Sequence, residues 1–140
     1  MGNSGKTNEQ ILRHMIEYAK QIEEANAMFN ASEEELKNNS VYRNAAALCI
    51  LQIGELANRL TEDYRSMTES QIPWRAIRGL RNIVAHHYGK IDYKSLWETI
   101  NQDIPVLREF CENQILMFET MKEEVPEYIE PEEEQGMSMQ

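Results

Sequence analysis

Arg81, His86 and Tyr88 are the residues whose types and spacing in this sequence best suit chemistry. An imidazole titrates near neutral pH and can take a proton from a ribose 2′-hydroxyl, while a guanidinium can hold a phosphate through two parallel hydrogen bonds. The same guanidinium would stabilise charge that develops on the phosphoryl group during reaction. The spacing alone leaves a plainer interpretation open, because an arginine and a histidine near a helix end are commonly a solvated cap.

Charge is distributed unevenly along the chain, so the total is a poor guide to its partners. The 140 residues carry a formal net charge of −10, but residues 123–140 contain seven Glu and no Lys or Arg, which leaves −3 for the rest. Residues 73–94 hold five Lys or Arg side chains and one acidic side chain, a local charge of +4. Phosphate binding responds to the local field, and the acidic total therefore does not exclude RNA as a substrate.

Hydrophobic side chains recur at steps of three and four along most of the chain, which predicts an all-α fold, a bundle of four main helices. The predicted helices cover about residues 8–28, 41–64, 74–87 and 93–121. Thr7-x-x-Gln10 and Ser32-x-x-Glu35 have the spacing of capping boxes, and Asp92 is the predicted N-cap of the fourth helix.

The last part of the chain contains two interruptions of the helical pattern. Pro105 lies inside the fourth predicted helix and predicts a kink there, because proline removes one backbone donor. Residues 123–140 show no helical stripe and are predicted to form a disordered acidic tail. We therefore divide the chain into a helical domain, residues 7–122, and the tail, residues 123–140.

The second predicted helix is apolar almost all round at residues 45–53, unlike a surface helix with a single buried stripe. Two of its faces therefore require burial, one against the domain core and the other against a partner subunit. Gly54, Ala46 and Ala47 would permit a close approach of another helix.

The angle between Arg81 and His86 also bears on a second subunit. On an ideal α-helix the two residues lie about 140° apart, so one regular helix does not direct both side chains at one phosphate. Either the helix unwinds near His86 or a second subunit completes the cleft, and both explanations stay open.

Other kinds of site fit the sequence less well. Cys49 and Cys111 lie in apolar stripes without a CxxC motif, which predicts buried small hydrophobic residues rather than a disulfide, a zinc site or a nucleophile. His86 and His87 are adjacent and make a poor metal pair, so no metal or cofactor is expected. Residues 2–7 resemble the end of a P-loop, but their spacing is short and no strand precedes them. No run approaches the ~18 apolar residues of a membrane span, and we expect a cytoplasmic protein.

The pattern Arg-x4-His-x-Tyr, formed by Arg81, His86 and Tyr88, resembles the RX4-6HXY signature of the HEPN superfamily. The surrounding sequence resembles its HepT branch in particular, and the matching blocks occur in the expected order. These blocks are Ser40-Val-Tyr-Arg-Asn44, Ile53-Gly-Glu-Leu-Ala57, Ile72-Pro-Trp-Arg75, Gly79-Leu-Arg-Asn-Ile83, Asp92 with Leu96-Trp-Glu98, and Asp103-Ile-Pro105. The resemblance covers about residues 7–122 and departs at His87, where many relatives have an acidic residue.

The resemblance implies a HEPN-like bundle that acts as a metal-independent ribonuclease toxin of a type VII toxin–antitoxin pair. Arg81 would then bind and stabilise the phosphoryl group, and His86 would be the acid–base residue. Asn82 and Glu55 would support the site, although a hydrogen bond at the edge of the core explains Glu55 equally well. Tyr88 would be the residue to which the antitoxin, an MntA-like minimal nucleotidyltransferase, attaches AMP and so silences the toxin.

The resemblance also implies a homodimer or higher homo-oligomer in which two copies of the motif meet in one cleft. Two other functions stay open. The chain could be a non-cleaving HEPN module that binds a nucleotide or a partner, or a dimeric interaction protein whose Arg81 and His86 cap a helix. A neighbouring gene for a small nucleotidyltransferase would distinguish these alternatives.

Overall fold

The structure, a computed structural model, describes residues 2–85 and 91–129, and the side chains of residues 7–83 and 91–122. Every regular element in these ranges is helical, which confirms the predicted all-α fold. The elements are α1 (Gly2–Met28), α2 (Glu33–Asn38), α3 (Ser40–Arg59), α4 (Glu62–Thr68), α5 (Trp74–Arg78), a 3₁₀ turn (Gly79–Arg81), α6 (Asn82–Ala85), α7 (Tyr93–Glu98), a π turn (Thr99–Asp103) and α8 (Ile104–Ile129).

The core forms around α3, which packs against α1 on one side and against the segment from α5 to α6 on another. Helices α1 and α3 run antiparallel: Asn26 near the end of α1 accepts a hydrogen bond from the Tyr42 hydroxyl near the start of α3. Helix α8 packs on α1 and completes the bundle. The largest fully buried side chains are Leu12, Met15, Ile22, Leu36, Tyr42, Ile50, Ile53, Ile72, Leu96, Leu107 and Cys111.

Side-chain caps start the helices α2, α3 and α7. The Ser32 hydroxyl accepts a hydrogen bond from the Glu35 N–H at 2.9 Å, as the capping-box spacing predicted. Asn39 separates α2 from α3 and caps α3 by accepting from the N–H groups of Val41 and Tyr42. Asp92 caps α7 by accepting from the Ser95 N–H at 3.2 Å, which confirms the predicted N-cap.

Helix α1 begins at Gly2, so the prediction of a capping box at Thr7 was wrong. The next residue, Asn8, is buried and makes a tertiary contact instead. Asn8 donates to the Thr61 hydroxyl and accepts from the Thr61 N–H, both at 3.1 Å. This pair of bonds ties α1 to the corner that follows α3, a contact between residues 53 positions apart that helical periodicity does not indicate.

Helix α3 ends at Arg59, five residues before the predicted end at 64. Leu60 leaves the helix with an extended backbone, and Thr61 caps the short helix α4. The Arg65 guanidinium donates to the carbonyls of Ala57 and Leu60, which satisfies acceptors that the end of α3 leaves free. The apolar pattern continues through this corner because Leu60 and Tyr64 are also buried, and the pattern therefore concealed the turn.

The third and fourth predicted helices are both interrupted. Residues 74–85 form α5, a 3₁₀ turn and α6 rather than one regular helix. A π turn, Thr99–Asp103, stands immediately before the Ile104-Pro105 pair, so the perturbation predicted from Pro105 takes this form. Helix α8 continues to Ile129, so residues 123–129, which were predicted to belong to the disordered tail, are helical. Residues 130–140 lie outside the described part.

The small residues of α3 face the core of this same chain. Ala46 and Ala47 are 0% and 2% exposed within the single chain, so the close approach that they permit is to other parts of this chain and not to a partner subunit. The apolar side chains that α3 leaves on its outer face are instead Val41 and Leu48, which are 64% and 55% exposed. Neither α3 nor any other described helix has a stretch long and apolar enough to cross a membrane.

Candidate active site

A buried hydrogen-bond chain anchors the segment that carries Arg81. The Trp74 indole donates to the Thr68 hydroxyl at 2.8 Å, and that hydroxyl donates to the Tyr64 carbonyl at 2.8 Å. Trp74 is buried, with its ring edge-on to Phe110 at 5.8 Å between centroids. These contacts fix the start of α5, and the buried side chains of Ile77 and Leu80 hold the rest of the segment against the core.

Gly54 allows the backbone of this segment to touch α3. A Cβ atom at Gly54 would lie 3.2 Å from the backbone nitrogen of Arg81 and 3.4 Å from the carbonyl oxygen of Ile77. The first distance is tighter than ordinary van der Waals contact, so a side chain here would require the two backbones to move apart by a few tenths of an ångström. The close approach predicted for Gly54 is therefore confirmed, and it brings α3 against the 3₁₀ turn of the same chain.

Arg81 and Glu55 meet at the surface just beyond this contact. Nη1 of Arg81 lies 3.3 Å from Oε2 of Glu55, and the two side chains are 49% and 46% exposed. An exposed ion pair of this kind contributes only about 0–1 kcal/mol, because water and salt screen it. A phosphate that approaches Arg81 can therefore displace the Glu55 carboxylate at small cost.

The Arg81 guanidinium opens on a polar cavity of about 420 Å³. Three arginines and two asparagines contribute to its wall together with a glycine: Asn58, Arg75, Arg78, Gly79, Arg81 and Asn82. A second cavity of about 600 Å³ shares Arg75 and Arg78 with the first. Guanidinium and amide groups in a concave site are the donors that bind phosphate oxygens, so this surface can bind a phosphodiester.

Three of the five predicted site residues lie in the part of the chain that the structure describes, and they lie together. Arg81 contacts Glu55, and Asn82 follows Arg81 on the wall of the same cavity. His86 and Tyr88 lie outside the described residues, and so does His87. The angle of 140° between Arg81 and His86 depends on the chain from 81 to 86, of which Asn82–Ala85 are α-helical, and His86 itself lies outside the described residues.

Both cysteines are buried and belong to the core, as predicted. Burial raises the pKa of the Cys111 thiol to about 12, and it also raises the pKa of Cys49. A nucleophilic cysteine needs a thiolate near neutral pH, which these environments oppose. Among the described side chains, no group of three His, Cys, Asp or Glu residues is placed to hold a metal ion.

Asn58, Arg75 and Arg78, which share the cavity with Arg81, were not predicted as individual site residues. A signal for two of them was present: Arg75, Arg78 and Arg81 recur at intervals of three, which places them on neighbouring positions of one helical surface. Asn58 gave no such signal. Its side chain accepts a hydrogen bond from Nε of Arg78 at 3.1 Å, a contact between residues 20 positions apart.

Residues 15–114 match the family described as Ribonuclease HepT-like. This chain belongs to that family. The matched range contains α3, the 3₁₀ turn and the described site residues Glu55, Arg81 and Asn82, and it lies within the predicted domain 7–122. The family expected from the Arg81, His86 and Tyr88 motif is thereby confirmed.

Several relatives carry names that refer to RNA cleavage. A protein of Methanocaldococcus jannaschii named "Putative RNase MJ1380" is 32% identical over 95 residues, which are 65% of this chain and 86% of the relative. "Putative RNase TTE0752" of Caldanaerobacter subterraneus subsp. tengcongensis is 29% identical over 104 residues, 74% of this chain and 90% of the relative. "Probable ribonuclease HepT" of Thermococcus cleftensis is 34% identical over 56 residues, 40% of this chain and 50% of the relative. No solved structure was found to match the chain.

Proposed function

We propose that this protein is a ribonuclease toxin that cleaves RNA by attack of a ribose 2′-hydroxyl on the adjacent phosphate, with Arg81 and His86 as its catalytic residues. The observation that carries the proposal is the site of Arg81, a half-exposed guanidinium held by its backbone against α3 beside a cavity lined by two further arginines. Membership of the HepT-like ribonuclease family supports the same activity.

In the proposed mechanism Arg81 binds the scissile phosphate and His86 transfers the proton. The imidazole takes the proton of the 2′-hydroxyl, the 2′-oxygen attacks the phosphorus, and the bond to the 5′-oxygen breaks. That 5′-oxygen receives a proton from an imidazolium, so the products are a 2′,3′-cyclic phosphate and a 5′-hydroxyl. The Arg81 guanidinium stabilises the negative charge that builds on the phosphoryl oxygens, and none of these steps requires a metal ion.

A homodimer suits this mechanism because the reaction uses one base and one acid, which two copies of His86 would supply. The outer face of α3 supports such an assembly. Val41 and Leu48 leave apolar surface exposed on this helix, and Glu55, the partner of Arg81, lies further along it. A second copy packed on this surface would bury apolar area and place its own site close to that of the first.

Glu55 and Asn82 act as supporting residues in this proposal. The Glu55 carboxylate holds the Arg81 side chain when RNA is absent and gives way to the scissile phosphate when RNA binds. The exposed Asn82 side chain lies next to Arg81 in the chain and on the wall of the cavity, where its amide can donate to a phosphate oxygen.

RNA cleavage by Arg81→Ala and His86→Ala variants tests the catalytic assignment. We expect each variant to lose cleavage and growth inhibition, because the first lacks the phosphate ligand and the second lacks the base. Lys20→Ala is the matched control, since it removes one exposed cation from α1 and should retain both activities. EDTA should leave wild-type cleavage unchanged.

Two results would contradict this proposal. Cleavage by both variants at the wild-type rate, with unchanged circular dichroism, would remove Arg81 and His86 from the mechanism. Loss of wild-type cleavage in EDTA that Mg²⁺ restores would refute the metal-free chemistry.

We further propose that a cognate MntA-like nucleotidyltransferase antitoxin silences the toxin by attaching AMP to Tyr88. The phosphate of the adduct would compete with the substrate phosphate for Arg81, and the nucleoside would fill the cleft. Wild type and Tyr88→Phe should be incubated with ATP and the enzyme encoded by the neighbouring gene, and their intact masses and RNase activities measured. Wild type should gain the mass of AMP and lose activity, whereas Tyr88→Phe should do neither; equal modification of both proteins would exclude Tyr88.

A further inference from the structure

Three exposed arginines follow one another along the segment beside the proposed active site. Arg75, Arg78 and Arg81 follow one another at intervals of three residues, so successive Cα atoms lie about 4.5–6 Å apart along the segment axis. All three line the cavity next to Arg81, and Arg75 and Arg78 also line the second cavity. Together they form one continuous row of guanidinium groups, which we call the arginine row.

The charges of the arginine row are poorly neutralised by the protein itself. In the described part of the chain, neither Arg75 nor Arg78 has a carboxylate within ion-pair distance, and Arg81 has only the exposed Glu55. Arg108, by contrast, forms ion pairs with two glutamates. Arg75 and Arg78 therefore add positive charge beside Arg81 that no described carboxylate neutralises by direct contact.

Like charges three or four residues apart on one helical surface destabilise it by a few tenths of a kcal/mol per pair. The row therefore does not serve the stability of the fold. A polyanion such as RNA would neutralise the charges of the arginine row. Binding would also release the counterions condensed on the polyanion, and this release favours association.

We propose that Arg75 and Arg78 bind the backbone phosphates of nucleotides that flank the scissile phosphate, so that a single strand of RNA lies along the arginine row. This inference rests on the proposed function, which places the scissile phosphate at Arg81. Each exposed guanidinium can hold one phosphate through paired hydrogen bonds, so the row can contact several phosphates of one strand. Arg75 and Arg78 are positioning residues for the substrate rather than catalytic residues.

The chemistry of the cavity wall indicates recognition of the backbone rather than of the bases. Its polar side chains are guanidinium and amide groups, and Trp74, the aromatic residue that lines the neighbouring cavity, is only 3% exposed. A platform for base stacking requires an exposed aromatic face. Binding along the row should therefore depend little on sequence and strongly on salt.

Acidic side chains limit the path of the strand. Glu62 and Glu69 line the second cavity together with Arg75 and Arg78. Carboxylates repel phosphates, so the RNA backbone should stay close to the arginines. The proposed path of the strand therefore runs between Arg81 and Arg75.

The test measures binding of an RNA oligonucleotide of mixed sequence in which every 2′-hydroxyl is methylated, since such RNA binds without being cleaved. Full-length wild type, Arg75→Gln, Arg78→Gln and the double variant are compared by fluorescence anisotropy over a series of salt concentrations. Each single variant should bind roughly five- to tenfold more weakly at low salt and should lower the slope of log Kd against log salt by about 0.7, and the double variant should lower it by about 1.4. Lys20→Gln is the matched control, because it removes the same unit of charge from an exposed site outside the row.

Cleavage of the corresponding unmodified RNA separates this inference from the proposed function. Arg75→Gln and Arg78→Gln should act mainly by raising KM, whereas Arg81→Ala should act mainly by lowering kcat. The arginine row would be refuted if both single variants kept the wild-type slope of log Kd against log salt. It would also be refuted if Lys20→Gln lowered that slope as much as they do. Either result would stand even if the protein cleaves RNA. Absence of cleavage by wild type, with reduced salt slopes in the Arg75 and Arg78 variants alone, would refute the proposed function and leave the row as a polyanion-binding surface.

Discussion

Replacing Gly54 with alanine would place a methyl group between α3 and the turn that carries Arg81. Two effects of opposite sign compete. Alanine is favoured over glycine inside a helix by about 1 kcal/mol, and this alone would raise the free energy of unfolding. The new Cβ would lie 3.2 Å from the backbone nitrogen of Arg81 and 3.4 Å from the carbonyl oxygen of Ile77, and overpacking of this kind typically costs about 1–3 kcal/mol.

The clash should prevail because both close neighbours are backbone atoms, which cannot rotate aside as the tip of a side chain can. We expect Gly54→Ala to lower the free energy of unfolding by about 0–2 kcal/mol, the difference between the overpacking cost and the propensity gain. Gly79→Ala is the matched control. A Cβ at Gly79 meets no atom within 4 Å, and the backbone there already has an α-helical φ of −79°. This variant should be neutral or slightly more stable.

Urea denaturation followed by circular dichroism measures both variants against wild type. Displacement of the turn by a few tenths of an ångström should also reduce RNA cleavage several-fold at a temperature where Gly54→Ala is fully folded, because catalysis depends on the exact placement of Arg81. If Gly54→Ala instead raised the free energy of unfolding by about 1 kcal/mol, the helix propensity of alanine would account for the whole effect and no clash would be present. The close approach of the two backbones would then be refuted.

Two further predictions concern the buried carboxylate of α1 and the outer face of α3. The hydrogen bond from Lys122, followed by that from Arg13, lowers the pKa of Glu9 from its ordinary value of 4.5, with both bonds at 2.7 Å. Its contribution to stability is present above that value and lost as the pH falls below it, so Glu9→Gln should flatten the acid decline in the free energy of unfolding between pH 6 and 3. An identical acid decline in wild type and Glu9→Gln would contradict this assignment. Leu48→Glu should keep the fold but convert a dimer into monomers and abolish cleavage, as judged by light scattering and an RNase assay, whereas Ala47→Glu should unfold the chain because Ala47 is 2% exposed. A stable wild-type monomer at micromolar concentration would exclude a shared cleft.

The local features of the fold were predictable from the sequence because their causes lie within a few residues. Helical periodicity predicted the all-α class, and the side chains of Ser32 and Asp92 cap the helices that their spacing indicated. Pro105 predicted an interruption of the helix, because proline has no backbone N–H to donate whatever its tertiary surroundings. The π turn stands at this interruption. The Arg81, His86 and Tyr88 motif indicated the family that the match over residues 15–114 confirms.

The tertiary structure alone decided which surfaces meet. Periodicity shows that a face of a helix is buried but not which element covers it. The apolar stretch at 45–53 therefore indicated a contact with a partner subunit, whereas Ala46 and Ala47 are buried within this chain. The end of α3 at Arg59 depends on Arg65 and on Asn8, the latter more than fifty positions away. The pairing of Glu55 with Arg81 likewise joins residues 26 positions apart, because the missing side chain of Gly54 lets two backbones touch. Contacts of this range are set by packing, and no local pattern of side chains encodes them.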